Sequence, residues 1–285
     1  MAANKTAHDV NRGEPKPTQF SLPCLRRLYQ YLGEYDALVE LTELAARSFI
    51  HDAKTHGDIA GFVADRSRCH GISVHFSEFD LFHPHLARSY IVTVYHAAER
   101  FLHEFRGAHT AIFGENWTGD SHSSNPLDIA LKNVGKSPRD AEKVVGRDLI
   151  SRFQYYRKIR NWVCHEKEPT DIKKLRKSHR AEFPKYEVGN RELDKVHAPN
   201  EPDCLNFEDF VLFTRITKTI AEKLNKLAVP SIDRLKELCG WRQFKPLLTN
   251  RQRMKNAIIG RLRSEFGLDH ETALEISQEI ISSLA

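Results

Sequence analysis

The stretch Tyr155-Tyr156-Arg157-Lys158-Ile159-Arg160-Asn161-Trp162-Val163-Cys164-His165 closes the longest uninterrupted helical pattern in the sequence. Ser137 supplies an N-cap, Pro138 suits the first helical position, and Asp140 falls in the first turn. From there Val145, Leu149, Phe153, Tyr156 and Val163 recur at steps of three, four or seven, the spacing of an apolar helix face. The pattern reads as one helix over 138–165. Arg160 sits at the edge of the apolar face, one turn beyond Tyr156, while Asn161 and His165 share the neighbouring face. An arginine, an amide and an imidazole therefore converge at the end of a helix with a buried side. A guanidinium beside such a stripe calls for a partner. The plainer reading is a helix C-terminus decorated with cations that suit its dipole.

Outward from this helix, His85 to Arg106 forms a second strong pattern, with Ile91, Val94, Ala98, Phe101 or Leu102, and Phe105 inward. On another face Val92, His96, Glu99, His103 and Arg106 align. Residues 107–136 are rich in Gly, Ser, Asn and Asp, with a short helix opened by Asn125 and Pro126. Downstream, Glu166 to Cys204 carries four prolines and little periodicity, and reads as an insertion, 166–205, in a helical bundle. It holds Lys173-Lys174-Leu175-Arg176-Lys177-Ser178-His179-Arg180, a cationic run that is either a solvated face or a set of phosphate contacts. Asn206 caps the next helix with Asp209 three residues on; Phe210, Phe213, Thr217, Ile220, Leu224 and Leu227 face inward.

The flanks carry less. Residues 1–20 are polar, with Pro15 and Pro17, and read as a flexible tail. In the N-terminal segment 21–83, a short helix from Pro23 stops at Gly33. A longer one runs from Glu34 to His56 with Leu38, Leu41, Ala45 and Phe49 inward. Ile72, Val74 and Phe76 alternate, as a brief strand or a packed loop. Beyond Pro230, residues 229–285 read as three helices in a basic module; no acid occurs from Arg242 to Arg263. Arg251, Arg253 and Lys255 are its candidate contacts to nucleic acid, with a dimerisation arm as the alternative.

Composition sets the bounds. With 40% hydrophobic and 28% charged residues the chain is ordinary globular protein, and a net charge of +5 permits an anionic partner without requiring one. Five scattered cysteines with no Cys-x-x-Cys suit free thiols in a reducing cytoplasm. The fifteen histidines form no zinc-binding pattern, so no metal or other cofactor is expected. No apolar run reaches membrane-spanning length and no leader opens the chain, so the expectation is a soluble protein without membrane contact.

Arg160-Asn161-Trp162-Val163-Cys164-His165 resembles the Arg-Asn-x-x-x-His signature of HEPN ribonucleases, helical-bundle nucleases of toxin–antitoxin, abortive-infection and RNA-targeting systems. Arg191 with His197 and Arg68 with His75 fit looser versions of the spacing, but neither has Asn after its Arg or an apolar-periodic helix beneath it. The resemblance spans roughly residues 84–228 and implies an all-α, HEPN-like up-and-down bundle with helical additions at both ends. It implies metal-independent cleavage of RNA by Arg160, Asn161 and His165, with Glu99 as the acidic residue that orients Arg160, a solvated polar face being the alternative for Glu99. With one motif per chain it further implies a homodimer sharing one cleft, and a toxin or antiviral effector restrained by an antitoxin or regulatory protein. Where some members carry a modifiable Tyr two residues past the His, this chain has Lys167. Lys173, Lys174, Arg176, Lys177 and Arg180 of the insertion, and Trp162 by base stacking, are candidate RNA contacts. Two readings of other classes stay open: a non-catalytic nucleotide- or RNA-binding module, and a DNA-binding regulator using the basic C-terminal helices.

Overall fold

A computed structural model describes residues 16–75, 78–119, 125–135, 137–164, 169–182 and 198–283. Among these the chain is all-α. Its helices are α1 (Pro23–His56), α2 (Ile59–His70), α3 (Phe82–Phe113), α4 (Pro126–Asn133), α5 (Pro138–Val145) and α6 (Arg147–Cys164). There follow α7 (Pro169–Glu182), α8 (Phe207–Leu227), α9 (Ile232–Leu238), α10 (Arg251–Phe266) and α11 (His270–Ser282), with 3-10 turns at Phe79–Leu81 and Trp241–Leu247. No described helix is long and apolar enough to cross a membrane.

Polar caps fix several of the boundaries. Asn125, Ser137, Ser231, Asn250 and Asp269 each accept a backbone N–H from the first turn of the helix they open. The expected single helix over 138–165 is two helices. Gly146, at φ 97° and ψ 126°, takes a conformation that side chains with a Cβ rarely adopt. Lys223 Nζ, donating to Val144 O at 3.1 Å and Val145 O at 2.9 Å, satisfies the carbonyls at that break.

Gly33 does the reverse of what the sequence suggests: α1 runs through it without a stop. A helix-interior glycine costs only about 1 kcal/mol, which neighbouring burial of Leu28, Leu32 and Val39 outweighs. Nothing lies within 4 Å of a Cβ built at Gly33. Gly33→Ala is therefore expected to stabilise the protein by about 0.5–1 kcal/mol in urea unfolding. The register of α1 also differs from expectation. Leu38, Leu41 and Leu44 are 59%, 67% and 69% exposed and Ala45 is exposed, whereas Val39, Glu43, Ala46 and Ala53 are buried. Hydrophobicity alone chose the wrong face; on the buried one Glu43 meets His83 Nε2 of α3 at 2.7 Å and Arg47 Nε, one turn on in α1, at 2.8 Å. Ile72 and Val74 are exposed in a loop rather than a strand; Phe76 lies outside the described residues.

The described residues divide into two compact units, one drawn from the ranges 16–29, 98–150 and 218–283, the other from 30–97 and 151–217. The divisions fall inside α1, α3, α6 and α8, and so cut across the segments drawn from sequence. In the first unit the core joins Leu22 and Leu28 to Phe105, Leu127, Val145, Leu224, Ile258, Leu262 and Ile276. The C-terminal helices are tied to residues at the N-terminal end. Ser21 N donates to Phe266 O at 2.8 Å, Arg26 donates to the carbonyls of Ser21 and Ser264, and Phe20 stacks on Phe266. Phe20, at the end of the expected tail, is thus anchored; residues 1–15 lie outside the described residues. Arg234 Nε reaches Ile112 O at 2.6 Å, a further tie within this unit. In the second unit Leu32, Tyr90, Ile91, Val94, Phe153, Tyr156, Ile159, Phe213 and Ile216 form the core.

The expected irregular insertion contains α7. Pro169 opens it, Leu175 is buried, and Arg176 holds Asp203 through Nε to Oδ1 at 3.0 Å and Nη2 to Oδ2 at 2.6 Å. His179 Nε2 lies 2.7 Å from Pro199 O. These tertiary anchors, not an apolar period, hold the helix, which is why the sequence showed little sign of it.

Candidate active site

In the second unit, α6 turns Phe153, Tyr155, Tyr156 and Ile159 inward. The Tyr156 ring stacks on Phe213 with centroids 4.6 Å apart. Its hydroxyl donates to Asp209 Oδ1 at 2.9 Å, and Asp209 is wholly buried. Three more donors converge on this carboxylate: Asn200 N at 2.9 Å, Asn200 Nδ2 at 2.8 Å and Asn206 N at 3.0 Å. Burial pushes the Asp209 carboxyl above its ordinary range, against the pull of these four donors. Burial and the adjacent carboxylate hold the Tyr156 phenol well above its usual value, so it remains a donor. Tyr155 donates to Asn200 O. One turn beyond Tyr156, this clamp fixes the start of the motif.

Arg160 is half-buried, with its guanidinium 5.0 Å from the centroid of the Tyr95 ring on α3. Its Nη1 donates to Asn161 Oδ1 at 3.1 Å. The first two motif residues are thus joined, and the amide turns its carbonyl to the arginine. Two residues on, the half-buried Trp162 ring lies 4.7 Å beneath the guanidinium of Arg88, also from α3. A hollow of about 570 Å³ opens here, lined by His85, Arg88, Ser89, Thr93, Trp162 and Cys164 among others. Cys164 ends α6 and is exposed; His165 lies outside the described residues.

The other sequence candidates distribute as follows. Glu99 is half-buried on the part of α3 that belongs to the first unit, whereas Arg160 belongs to the second. Lys173, Lys174 and Lys177 are exposed on α7, and the Arg180 side chain lies outside the described residues. Arg176 is paired with Asp203, whose carboxyl it draws below the ordinary range. Arg251 and Arg253 are exposed on α10, in the first unit, and Lys255 is half-buried there. Among the described residues no three His, Cys, Asp or Glu side chains gather in a metal-binding group.

Arg88, Tyr95 and Asp209 escaped the sequence reading. Arg88 and Tyr95 lie seven apart, two turns on one face of α3, a spacing that could have marked them as a pair. Asp209 was legible as a capping partner of Asn206, but not as the acceptor for a tyrosine 53 positions earlier. Comparison with family models, curated proteins and solved structures finds no match to this chain.

Proposed function

We propose that this chain is a metal-independent endoribonuclease of HEPN type, acting as a homodimer in which two motifs face one cleft. The observation that carries the reading is the Arg160–Asn161 pair on the last turns of α6, half-buried and joined by a hydrogen bond beside Tyr95. A solvated cationic helix end would not need an arginine seated on an aromatic ring and tied to its neighbour's amide.

The chemistry follows from the residue types. A base takes the proton of the ribose 2′-hydroxyl as that oxygen bonds to phosphorus. The bond from phosphorus to the 5′-oxygen then breaks, and an acid protonates the leaving oxygen. Histidine suits both proton transfers near neutral pH, and the two His165 side chains of a dimer divide them. Arg160 offers a planar fork of donors to the charged phosphorane. With its carbonyl accepting from Arg160, Asn161 keeps its Nδ2 to donate to the phosphate or the imidazole. The biological setting implied by the resemblance is a toxin or antiviral effector held in check by a partner protein.

The exposed Arg251 and Arg253 of α10 add affinity without chemistry in this reading. Removing residues 229–285 is a poor test, because it also strips Ser21, Arg26 and Phe20 of their partners. The double substitution Arg251→Glu with Arg253→Glu changes two exposed side chains and leaves those ties in place. It is expected to weaken RNA binding and to lower the slope of log affinity against log salt by about 2. An unchanged slope would assign α10 to another task. The reading itself is tested by incubating purified protein with RNA in EDTA and by sedimentation for the dimer.

A further inference from the structure

Arg88 stands out among the arginines of the second unit. It is half-buried, its Nε is enclosed without a hydrogen-bond partner, and no carboxylate pairs with it among the described residues. Asp203 acts on it only at longer range, and both oxygens of that carboxylate are already held by Arg176. Leaving a partly desolvated guanidinium without an acceptor is costly unless an anion completes it. The Arg88 guanidinium lies over the Trp162 ring at 4.7 Å, a contact that restrains it and leaves its donors to meet an anion. The hollow it lines, about 570 Å³, is within the size range of small-molecule sites. The hydroxyls there are committed: Ser89 Oγ donates to Leu86 O at 2.7 Å and Thr93 Oγ1 to Ser89 O at 3.1 Å. Arg88 then supplies the permanent charge of the hollow, with His85 also on its wall.

We propose that Arg88, seated on Trp162, is a phosphate-binding residue for single-stranded RNA, holding a backbone phosphate that flanks the one cleaved at Arg160. This rests on the ribonuclease reading. Arg88 springs from α3 two turns before Tyr95, the ring beneath Arg160, so the two guanidiniums serve separate phosphates of one strand. Trp162 acts here through Arg88, as its positioning residue, rather than as a free stacking platform.

The test uses the full chain carrying His165→Ala to silence cleavage, with a short fluorescein-labelled single-stranded RNA followed by anisotropy. Arg88→Gln is expected to weaken binding about tenfold and to reduce the salt slope by about 1. Arg88→Lys, which keeps the charge, is expected to restore the slope but not the whole affinity. Thermal unfolding separates these effects from loss of fold, and Lys rescue of the slope is one that a merely structural role would not give. Inorganic phosphate, titrated as competitor, distinguishes the source of the anion. Phosphate sensitivity lost in Arg88→Gln while RNA affinity stays intact would make this a small-anion site and overturn the RNA assignment. Equal affinity and slope in Arg88→Gln and its parent, with the wild type still cutting RNA, would overturn the role of Arg88 alone. A wild type that neither binds nor cuts RNA would remove both this proposal and the reading beneath it.

Discussion

Replacing His165 by alanine is expected to lower RNA cleavage by about 10²–10⁴-fold, the usual contribution of a general acid–base group. The unfolding temperature, measured alongside, is expected to stay with the wild type and so to separate loss of rate from loss of fold. Arg160→Ala should cost as much in rate. It also uncovers Tyr95 and releases the Asn161 carbonyl, so a modest loss of stability is expected with it. Arg160→Lys keeps the charge but not the planar fork, and should remain impaired. Mixing the two alanine variants adds a test of the dimer. The mixed dimer holds a single His165, so proton transfers divided between two predict no recovery, whereas regained activity would show that one Arg160 and one His165 from opposite subunits suffice. Unaltered rates in both single variants would remove the ribonuclease assignment.

Asp209→Ala is expected to cost about 3–5 kcal/mol of folding stability in urea unfolding, the largest stability effect anticipated for a single side chain here. Four donors lose their acceptor at once, among them the enclosed Tyr156 hydroxyl and the two nitrogens of Asn200. Tyr156→Phe removes one of the four and keeps the stacking on Phe213, so about 1–3 kcal/mol is expected. Because Tyr156 lies one turn before Arg160, cleavage by Asp209→Ala should fall with the folded fraction as temperature rises. An Asp209→Ala protein that unfolds at the wild-type urea concentration would show that the network is not what fixes this end of α6.

Helix content and several boundaries were legible because they are local. Asn125, Ser137, Asn206 and Asp269 announce their helices within four residues, and the apolar faces of α3 and α8 follow a simple period. What escaped was set by distant partners or by competition between local rules. Gly33 signals a stop, yet burial on both sides carries α1 through it. Gly146 lies within an unbroken apolar pattern, yet its backbone angles divide α5 from α6. The leucines of α1 suggested an inward face, whereas Val39, Ala46 and Ala53 are buried together with Glu43, whose partner His83 lies 40 positions away. At the candidate site, Arg160, Asn161 and Trp162 could be named from spacing and resemblance. For Arg88 the seven-residue spacing from Tyr95 was the one local sign; the ring it rests on and the carboxylate held by Arg176 are tertiary and left no trace in the sequence.

The most direct measurement is the chemistry of the ends produced when purified protein meets single-stranded RNA in the presence of EDTA. Attack by the 2′-hydroxyl requires fragments ending in a 2′,3′-cyclic phosphate and beginning with a 5′-hydroxyl. Such ends from the wild type, and their loss in the Arg160→Ala, His165→Ala double variant prepared identically, are the expected result. Intact RNA, cleavage abolished by EDTA, or equal cutting by the double variant would contradict the assignment of catalysis to this motif.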